Sequence, residues 1–480
     1  MGRIHIQIQR TDSVNYQTDA SYGITALNSI TYPNVQGYGD RRTATPAYDY
    51  AGRLQSLTSN AATYSSSASV SSISYASHGA MTSETLGNNL IEQISYDPKR
   101  LQATEIRLGT SGNPTSVMQI TYNYGTISNN GNLLSTSYTA GSFSFTQSFT
   151  YDSLNRLSTA TETQNSTTIW SETNGYDRYG NRWVDLSGTP SLTFNTSTNR
   201  INSFSYDAGG NVYRDENHRY IYDSENRLLK LDGNTEYVYD GEGKRVKKLT
   251  ENTRFVYGIG GELIGEFNST NGNLIKEYVY AGGAMAVIEP SVGTKYLTSD
   301  ILGSPRVVTN SSGTVISRHD YKPFGEELLS GTGNRSSSQG YGGTDNLRKK
   351  FTGYERDAES GLDFAQARYY ANTNGRFQSP DPLASSATAA DPQSWNRYSY
   401  VGNSPTTSTD PSGMVGVRVA QGGDLVNLGF HFAGRTYDPD SLTYASRLDD
   451  WVEVFTPNST HTGDVVKWNR TQNSRCSFFL

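Results

Sequence analysis

Cysteine is almost missing from this chain of 480 residues: Cys476 stands alone, so no disulfide can form within it and the fold must hold by burial and hydrogen bonding. Methionine and tryptophan are scarce, at 5 each, and apolar residues make up only 34%. Mean hydropathy is -0.62. No stretch approaches the roughly 18 apolar residues of a membrane span, and the opening "MGRIHIQIQRTDS" lacks the apolar core of an export signal. Positive charge is not in surplus either. A formal net charge of -6 and a pI near 5.6 leave no basic footprint for neutralising phosphates, which excludes nucleic acid as the partner of the main body. Sustained helical periodicity is absent.

What is present is glycine and tyrosine, 47 and 34 residues. Tyrosine takes the place that Leu and Ile usually hold. Its ring buries apolar area while its hydroxyl keeps a partner, which suits thin sheets wet on at least one face. The chain also repeats itself. "YDYAGRL" (48–54), "YDPKRL" (96–101), "YDSLNRL" (151–157), "YDRYGNRW" (176–183), "YDAGGNV" (206–212), "YDSENRL" (222–228) and "YDGEGKRV" (239–246) share one plan, and "NYGTISNNGNLLS" (123–135) is a degenerate copy. Tyr ends one strand, Asp accepts hydrogen bonds from the turn amides, Gly or Asn tolerates positive φ, and Arg and Leu start the return strand. Tyrosines at equivalent places in successive hairpins are expected to stack across neighbouring strands into a ladder, with an Arg stem over a ring. The intervening segments, such as "SFSFTQSFTY" (142–151) and "TEYVYD" (235–240), have strand composition. The alternation of Ile4, Ile6 and Gln7 begins at the first residues, as expected of the distal part of a longer protein.

This series resembles the YD repeats of the RHS (rearrangement hot spot) proteins, found also in teneurins and in the C components of insecticidal toxin complexes. The resemblance implies an all-β fold in which hairpins wind spirally into a hollow or partly open shell. A generic tyrosine-rich β-sandwich or solenoid is the plainer alternative. From Tyr296 the texture changes. "LGSPR" (302–306), "PFGE" (323–326), "FTGYERD" (351–357), "GLDFAQARYY" (361–370), "GRFQSPDP" (375–382) and "DPSGM" (410–414) follow in the order of an RHS-associated core. The expected organisation is a repeat shell over 1–295, the core over 296–414 and a variable segment over 415–480.

For such a core the resemblance implies an autoproteolytic site of aspartic-protease type. Carried over by position, Asp381 and Asp410 are the two carboxylates, Arg368 the nearby cation, and the cut falls between Met414 and Val415. Two carboxylates within about 3 Å cannot both ionise; they share a proton and divide into a base that activates water and an acid that protonates the departing amide. Arg368 is suited to stabilise the ionised carboxylate or the developing oxyanion. Cleavage in cis needs one turnover and profits from a high effective molarity. Pro382 and Pro411 fix φ after each aspartate. Taken singly, an Asp-Pro pair is an ordinary turn. Asp391, in the apparent insertion that begins "ASSATAA" (384–390), is assigned as one, and Met414 stands where leucine is commoner in the family.

Other signals are weaker. The run Arg348-Lys349-Lys350 is expected to be a solvated edge, and Glu355, Asp357, Glu359 and Asp363 are spaced as on an exposed strand or loop rather than a cation site. "GIGGELIG" (258–265) is expected to be a Gly-rich hairpin. No cofactor or metal motif is visible. The segment 415–480 occupies the place of the family's enclosed toxin. His431 and His461, with Asp438, Asp440, Asp449 and Asp450, carry no spacing that names an activity, and Trp451 and Trp468 are expected to be core. The resemblance implies a bacterial shell, secreted or on the cell surface, that cuts off and holds its own C-terminal segment for delivery. Its partners would be an immunity protein and a secretion or toxin-complex component. The competing reading is a cell-surface adhesin whose repeat tyrosines stack on a glycan, without proteolysis.

Overall fold

The computed structural model describes residues 2–6, 18–22, 27–34, 41–60, 68–258, 261–281, 284–343, 345–383, 386–387 and 392–419. The Tyr-Asp unit builds one turn again and again. Asp152 Oδ1 accepts the amide N–H groups of Leu154 and Arg156, each at 2.9 Å, while Oδ2 accepts from Arg156 Nε at 2.7 Å. Asn155 takes φ +60° in that turn, a conformation asparagine tolerates better than most residues. Asp49 and Asp223 repeat the arrangement with Arg53 and Arg227. In the 176–183 copy Asn181 takes the place of the arginine and reaches Asp177 at 2.8 Å.

Several strand-end tyrosines act one hairpin back. Tyr176 Oη donates to the Leu157 carbonyl at 2.6 Å, Tyr75 to Leu54 at 2.6 Å and Tyr239 to Leu228 at 2.8 Å. The arginine of the earlier turn lies over the ring: Arg156 is 4.3 Å from the Tyr176 centroid and Arg53 is 4.7 Å from that of Tyr75. The ladder is therefore hydroxyl to carbonyl under an arginine roof, not ring upon ring. Equivalent tyrosines are two strands apart, about 10 Å at the usual strand spacing, which a phenol can bridge to a backbone but not by stacking. These rings are half-buried, with one face taken by a guanidinium.

Hairpins laid side by side give two large antiparallel sheets. Fifteen strands in chain order, from Gly2–Ile6 to Arg182–Val184, form the first, and eleven, from Tyr220–Tyr222 to Val315–Arg318, form the second. Two small ribbons, Phe194–Asn195 with Arg200–Ile201 and Ser205–Tyr206 with Val212–Arg214, join them. Side chains alternate as a half-buried strand requires: along Phe143–Tyr151, Phe143, Phe145, Gln147 and Phe149 are buried, while Ser144, Ser148 and Thr150 are exposed. The second sheet lies along the first. Tyr32 bonds the Tyr278 carbonyl, Asn88 reaches Thr309, Arg318 reaches Tyr138, and Gln147 reaches the Tyr321 carbonyl. Broadly, later residues of one sheet meet later residues of the other, which is the arrangement of a wound strip. One apolar cluster spans both, with Met118 and Phe145 in common with Ile264 and Ile288. The boundary in sequence texture at 295/296 falls inside the strand Gly293–Ser299, so the sheet continues through it.

Two charged runs expected on the surface are instead buried or half-buried in ion pairs, most of them with residues from other parts of the chain. Asp357 is fully buried beside Arg245, whose Nη1 is 2.5 Å away, and Glu355 meets both Arg245 and Lys349 at 3.3 and 3.2 Å. Arg356 is 2.8 Å from buried Asp363, Glu359 takes Lys248 at 2.6 Å, Arg348 reaches Glu266 at 3.1 Å and Lys350 reaches Asp345 at 3.5 Å. Opposite signs close together offset the desolvation that makes a lone buried charge untenable. The strands Thr253–Tyr257 and Leu263–Asn268 pair antiparallel across the connection 258–262, so the 258–265 stretch belongs to a hairpin.

Candidate active site

Asp410 opens a loop. The strand Ser408–Thr409 pairs antiparallel with Val417–Arg418, so 410–416 is the connection between them. As in the repeats, an aspartate organises the turn: its carbonyl accepts the Gly413 N–H at 3.1 Å, and its Oδ1 accepts the N–H groups of Met414 at 3.0 Å and Val415 at 2.9 Å. Gly413 has φ +71°, and a Cβ there would come 2.5 Å from the Ala365 carbonyl oxygen. Only glycine combines that conformation with that approach.

Asp381 follows the strand Arg376–Phe377, and its amide donates to the Arg397 carbonyl at 2.9 Å. Its Oδ1 accepts the Leu383 N–H at 2.8 Å and its Oδ2 the Ser386 hydroxyl at 2.9 Å. Arg397 Nη2 lies 3.7 Å from Oδ1.

Arg368 begins the third strand of a four-stranded sheet, Glu355–Arg356, Asp363–Ala365, Arg368–Ala371 and Arg376–Phe377. Its guanidinium carbon rests 3.6 Å from the Phe377 ring centroid. Nη2 is 3.1 Å from Asp410 Oδ2 and 3.6 Å from Asp381 Oδ2. Nη1 donates to the Arg397 carbonyl at 3.0 Å, and Nε donates to the Gly413 carbonyl. One nitrogen thus touches both carboxyls. No hydrogen bond joins Asp381 directly to Asp410, so the proton-sharing contact expected of the pair is replaced by a cation bridge.

Burial raises the pKa of Asp410 and the Asp381 charge adds to the rise, while Arg368 and the Met414 and Val415 amides oppose it. Burial likewise pulls the Arg368 guanidinium below its ordinary value against the pull of both carboxylates. Beneath the loop, Tyr354 Oη donates to the Asp410 carbonyl, and Tyr370 and Tyr400 pack at 4.6 Å between centroids. Met414 and Val415 are half-buried and Gly416 is exposed, which opens the junction to water on one side.

The structure therefore gathers Asp381, Asp410, Arg368, Met414 and Val415 in one place. Asp391 lies outside the described residues, as do His431, His461, Asp438, Asp440, Asp449, Asp450, Trp451 and Trp468. Ser386, Arg397 and Tyr354, which brace the aspartates, were not singled out from the sequence. No spacing signals them, because each arrives from a separate turn or strand.

A wound antiparallel strip of Tyr-Asp hairpins, carrying an Asp–Arg–Asp cluster in which Arg368 and Asp410 are buried and Asp381 is half-buried, defines a YD shell. The teneurin YD-shell family model matches residues 113–406, and the chain belongs to that family. The tRNA nuclease WapA of Bacillus subtilis (strain 168) is 28% identical over 282 residues, 55% of this chain and 12% of WapA. "Probable deoxyribonuclease RhsB" of Dickeya dadantii (strain 3937) is 30% identical over 225 residues, 44% of this chain and 14% of its own. The chain thus spans about one-eighth of the curated relatives it matches. Among solved structures, TcdB2-TccC3 without its hypervariable C-terminal region superposes with a TM-score of 0.65 at 21% identity, over 84% of this chain and 22% of that one. That likeness establishes the shared shell fold.

Proposed function

We propose that this chain is the distal part of a self-processing YD shell that hydrolyses its own Met414–Val415 bond and holds the segment beyond it for delivery as a toxin. The observation that carries the reading is the Val415 nitrogen 2.9 Å from a buried carboxyl whose pKa is raised. Asp381 acts as the base for the water that attacks the Met414 carbonyl carbon. As the tetrahedral intermediate forms, the Val415 nitrogen becomes basic, and Asp410 delivers its proton there. The contacts of Arg368 run to the carboxyls and to the Gly413 carbonyl, which favours carboxylate stabilisation over an oxyanion role. The junction is already beside the reacting groups, so the step needs no diffusive encounter.

Delivery is supported by the nuclease names of WapA and RhsB and by the toxin-complex fold shared with TcdB2-TccC3. The proposed division keeps the shell to residue 295, the core to 414 and the cargo from 415. An immunity protein, a toxin-complex or secretion component, and a secreted or cell-surface location belong to the same proposal. The adhesin reading is disfavoured by the arginine roof over repeat tyrosines such as Tyr75 and Tyr176. Intact-mass measurement of the expressed chain tests the proposal: a fragment ending at Met414 is expected, and a stable uncut 52.7 kDa species overturns it.

A further inference from the structure

Past the junction the chain stays against the wall through Val419. Val417 sits opposite Thr409 and Arg418 opposite Ser408 in a short antiparallel pair. Val417 and Val419 are buried, at 5% and 3% exposure, and Val419 belongs to the main apolar cluster. The Val419 N–H donates to the Thr407 carbonyl at 2.7 Å. Arg418 crosses to the first sheet, where Nη2 donates to the Asn130 carbonyl at 3.3 Å, and its guanidinium lies where Gly131 leaves no room for a side chain. Each of these contacts joins a residue beyond the proposed cut to one before it, and none is the bond cut, so hydrolysis breaks none of them.

We propose that the cut segment stays docked on the shell through its own first residues, Val415–Val419, held as an added strand with its new N-terminus ion-paired to Asp410. This rests on the cleavage reading. Hydrolysis adds hydroxyl to the Met414 carbonyl carbon and a proton to the Val415 nitrogen as the C–N bond breaks, and proton transfer from the new carboxyl then leaves a carboxylate and an ammonium. A free α-amine ordinarily has a pKa of about 7.7–8.0, so it is mostly cationic at neutral pH. The nitrogen is already 2.9 Å from Asp410 Oδ1. Before the cut that oxygen accepts an amide N–H; afterwards the same oxygen faces an ammonium. The group that delivered the proton becomes the counter-ion of the product. Strand addition supplies main-chain hydrogen bonds, and the two buried valines supply apolar area and register.

The test uses the full chain after processing. Intact mass first establishes the fragment ending at Met414; its absence sinks the cleavage reading, and with it this one, by a distinct result. The cut protein is then treated at neutral pH with an amine-acetylating reagent. The Val415 amine is expected to react about tenfold or more slowly than that of the free peptide VGVRV, in proportion to the bound fraction, and equal rates refute docking. Enclosure alone could also slow the reaction, so Val419→Pro, which removes the N–H to Thr407, and Val417→Asp, which charges a buried site, are compared on their cut fractions. Each is expected to restore labelling toward the peptide's rate and to raise tail dissociation in size-exclusion chromatography about tenfold, the effect of losing one buried aliphatic contact. Slow labelling and undiminished co-elution in both variants would show that the strand holds nothing.

Discussion

A single oxygen, Asp410 Oδ1, accepts the amide of Met414 at 3.0 Å and that of Val415 at 2.9 Å, and so holds the nitrogens on either side of the Met414 carbonyl. An ordinary Tyr-Asp turn uses its aspartate in a similar way, at the second and fourth residues on. Here the accepted amides fall at the fourth and fifth, and burial adds the pKa shift that a turn does not need. Asp410→Asn and Asp381→Asn are each expected to slow cleavage by about 10²–10⁴-fold, the usual worth of a positioned acid or base. Asp391→Asn is expected to cut like wild type. Intact mass against time after refolding reads all three, and loss of cutting in the 391 variant alone would reverse the assignment.

The pH dependence follows from the same burial. If Asp410 is the acid, the competent form carries its proton, and its raised pKa extends that form upward in pH. Above that pKa the rate is expected to fall tenfold per pH unit. Arg368 is the cation that opposes the rise, so Arg368→Met is expected to move the alkaline limb to higher pH as well as lower the maximum. Arg368→Lys keeps the charge but loses the fork that reaches the Arg397 and Gly413 carbonyls, and should shift the limb less than Met does. Single-turnover profiles of refolded chains decide it. An unmoved limb in Arg368→Met would take Arg368 out of electrostatic contact with the acid.

Much of this was legible in the residues. The Tyr-Asp turn is local chemistry, so seven copies announce hairpins, and it was the resemblance to an RHS-associated core that brought residues 368, 381 and 410 into one reading. What lay beyond the sequence was whatever depends on strand spacing or on the second winding. Tyrosines that read as a stacked ladder reach carbonyls instead, because two strand spacings separate them. Asp357 and Arg348 read as surface charges because their close partners, Arg245 and Glu266, sit about a hundred residues earlier in the chain. Arg368 was expected near the aspartates, but that one of its nitrogens would reach both carboxyls in place of a shared proton is a consequence of packing.

Gly413 tests the geometry without touching a titrating group. With φ +71° and the Ala365 carbonyl 2.5 Å from where a Cβ would stand, Gly413→Ala must shift the loop that carries the junction. The local cost is about 1–3 kcal/mol, small for a shell of this size. The expected result is a folded chain, with wild-type far-ultraviolet circular dichroism, that cuts at least about a hundredfold more slowly, since an ångström of misplacement is worth that much. Normal cutting in this variant would mean that the loop need not hold its present shape.

The repeat ladder makes a separate prediction about the wall. Tyr176→Phe removes the hydrogen bond to the Leu157 carbonyl but keeps the ring beneath Arg156, so it should cost about 0.5–1.5 kcal/mol. Asp152→Ala removes the acceptor of two turn amides and of Arg156 Nε, and should cost more. Hydrogen exchange of amides 151–157 reads both locally. Equal protection in the two variants would deny the aspartate its organising role.

His319 gives the wall its own dependence on pH. The buried ring is held between Asp345, 2.6 Å from Nε2, and Glu327, 2.6 Å from Nδ1, with Lys350 also 3.3 Å from Nδ1 and the Ser317 hydroxyl 3.2 Å from Nε2. Burial lowers its pKa and Lys350 opposes protonation, yet the two carboxylates prevail and the net change is upward. A histidine raised in the folded state contributes stability that is fully present below its unfolded value of about 6.5 and is lost as pH rises through the folded value, about 1.4 kcal/mol for each pH unit that separates the two. Wild type should therefore lose urea resistance as pH rises above about 6.5 in a way that His319→Gln, which cannot gain the proton, does not. Parallel curves for the two proteins would show that the ring gains no proton on folding and that its carboxylate neighbours are served by Lys350, Arg356, Ser317 and the Leu347 amide.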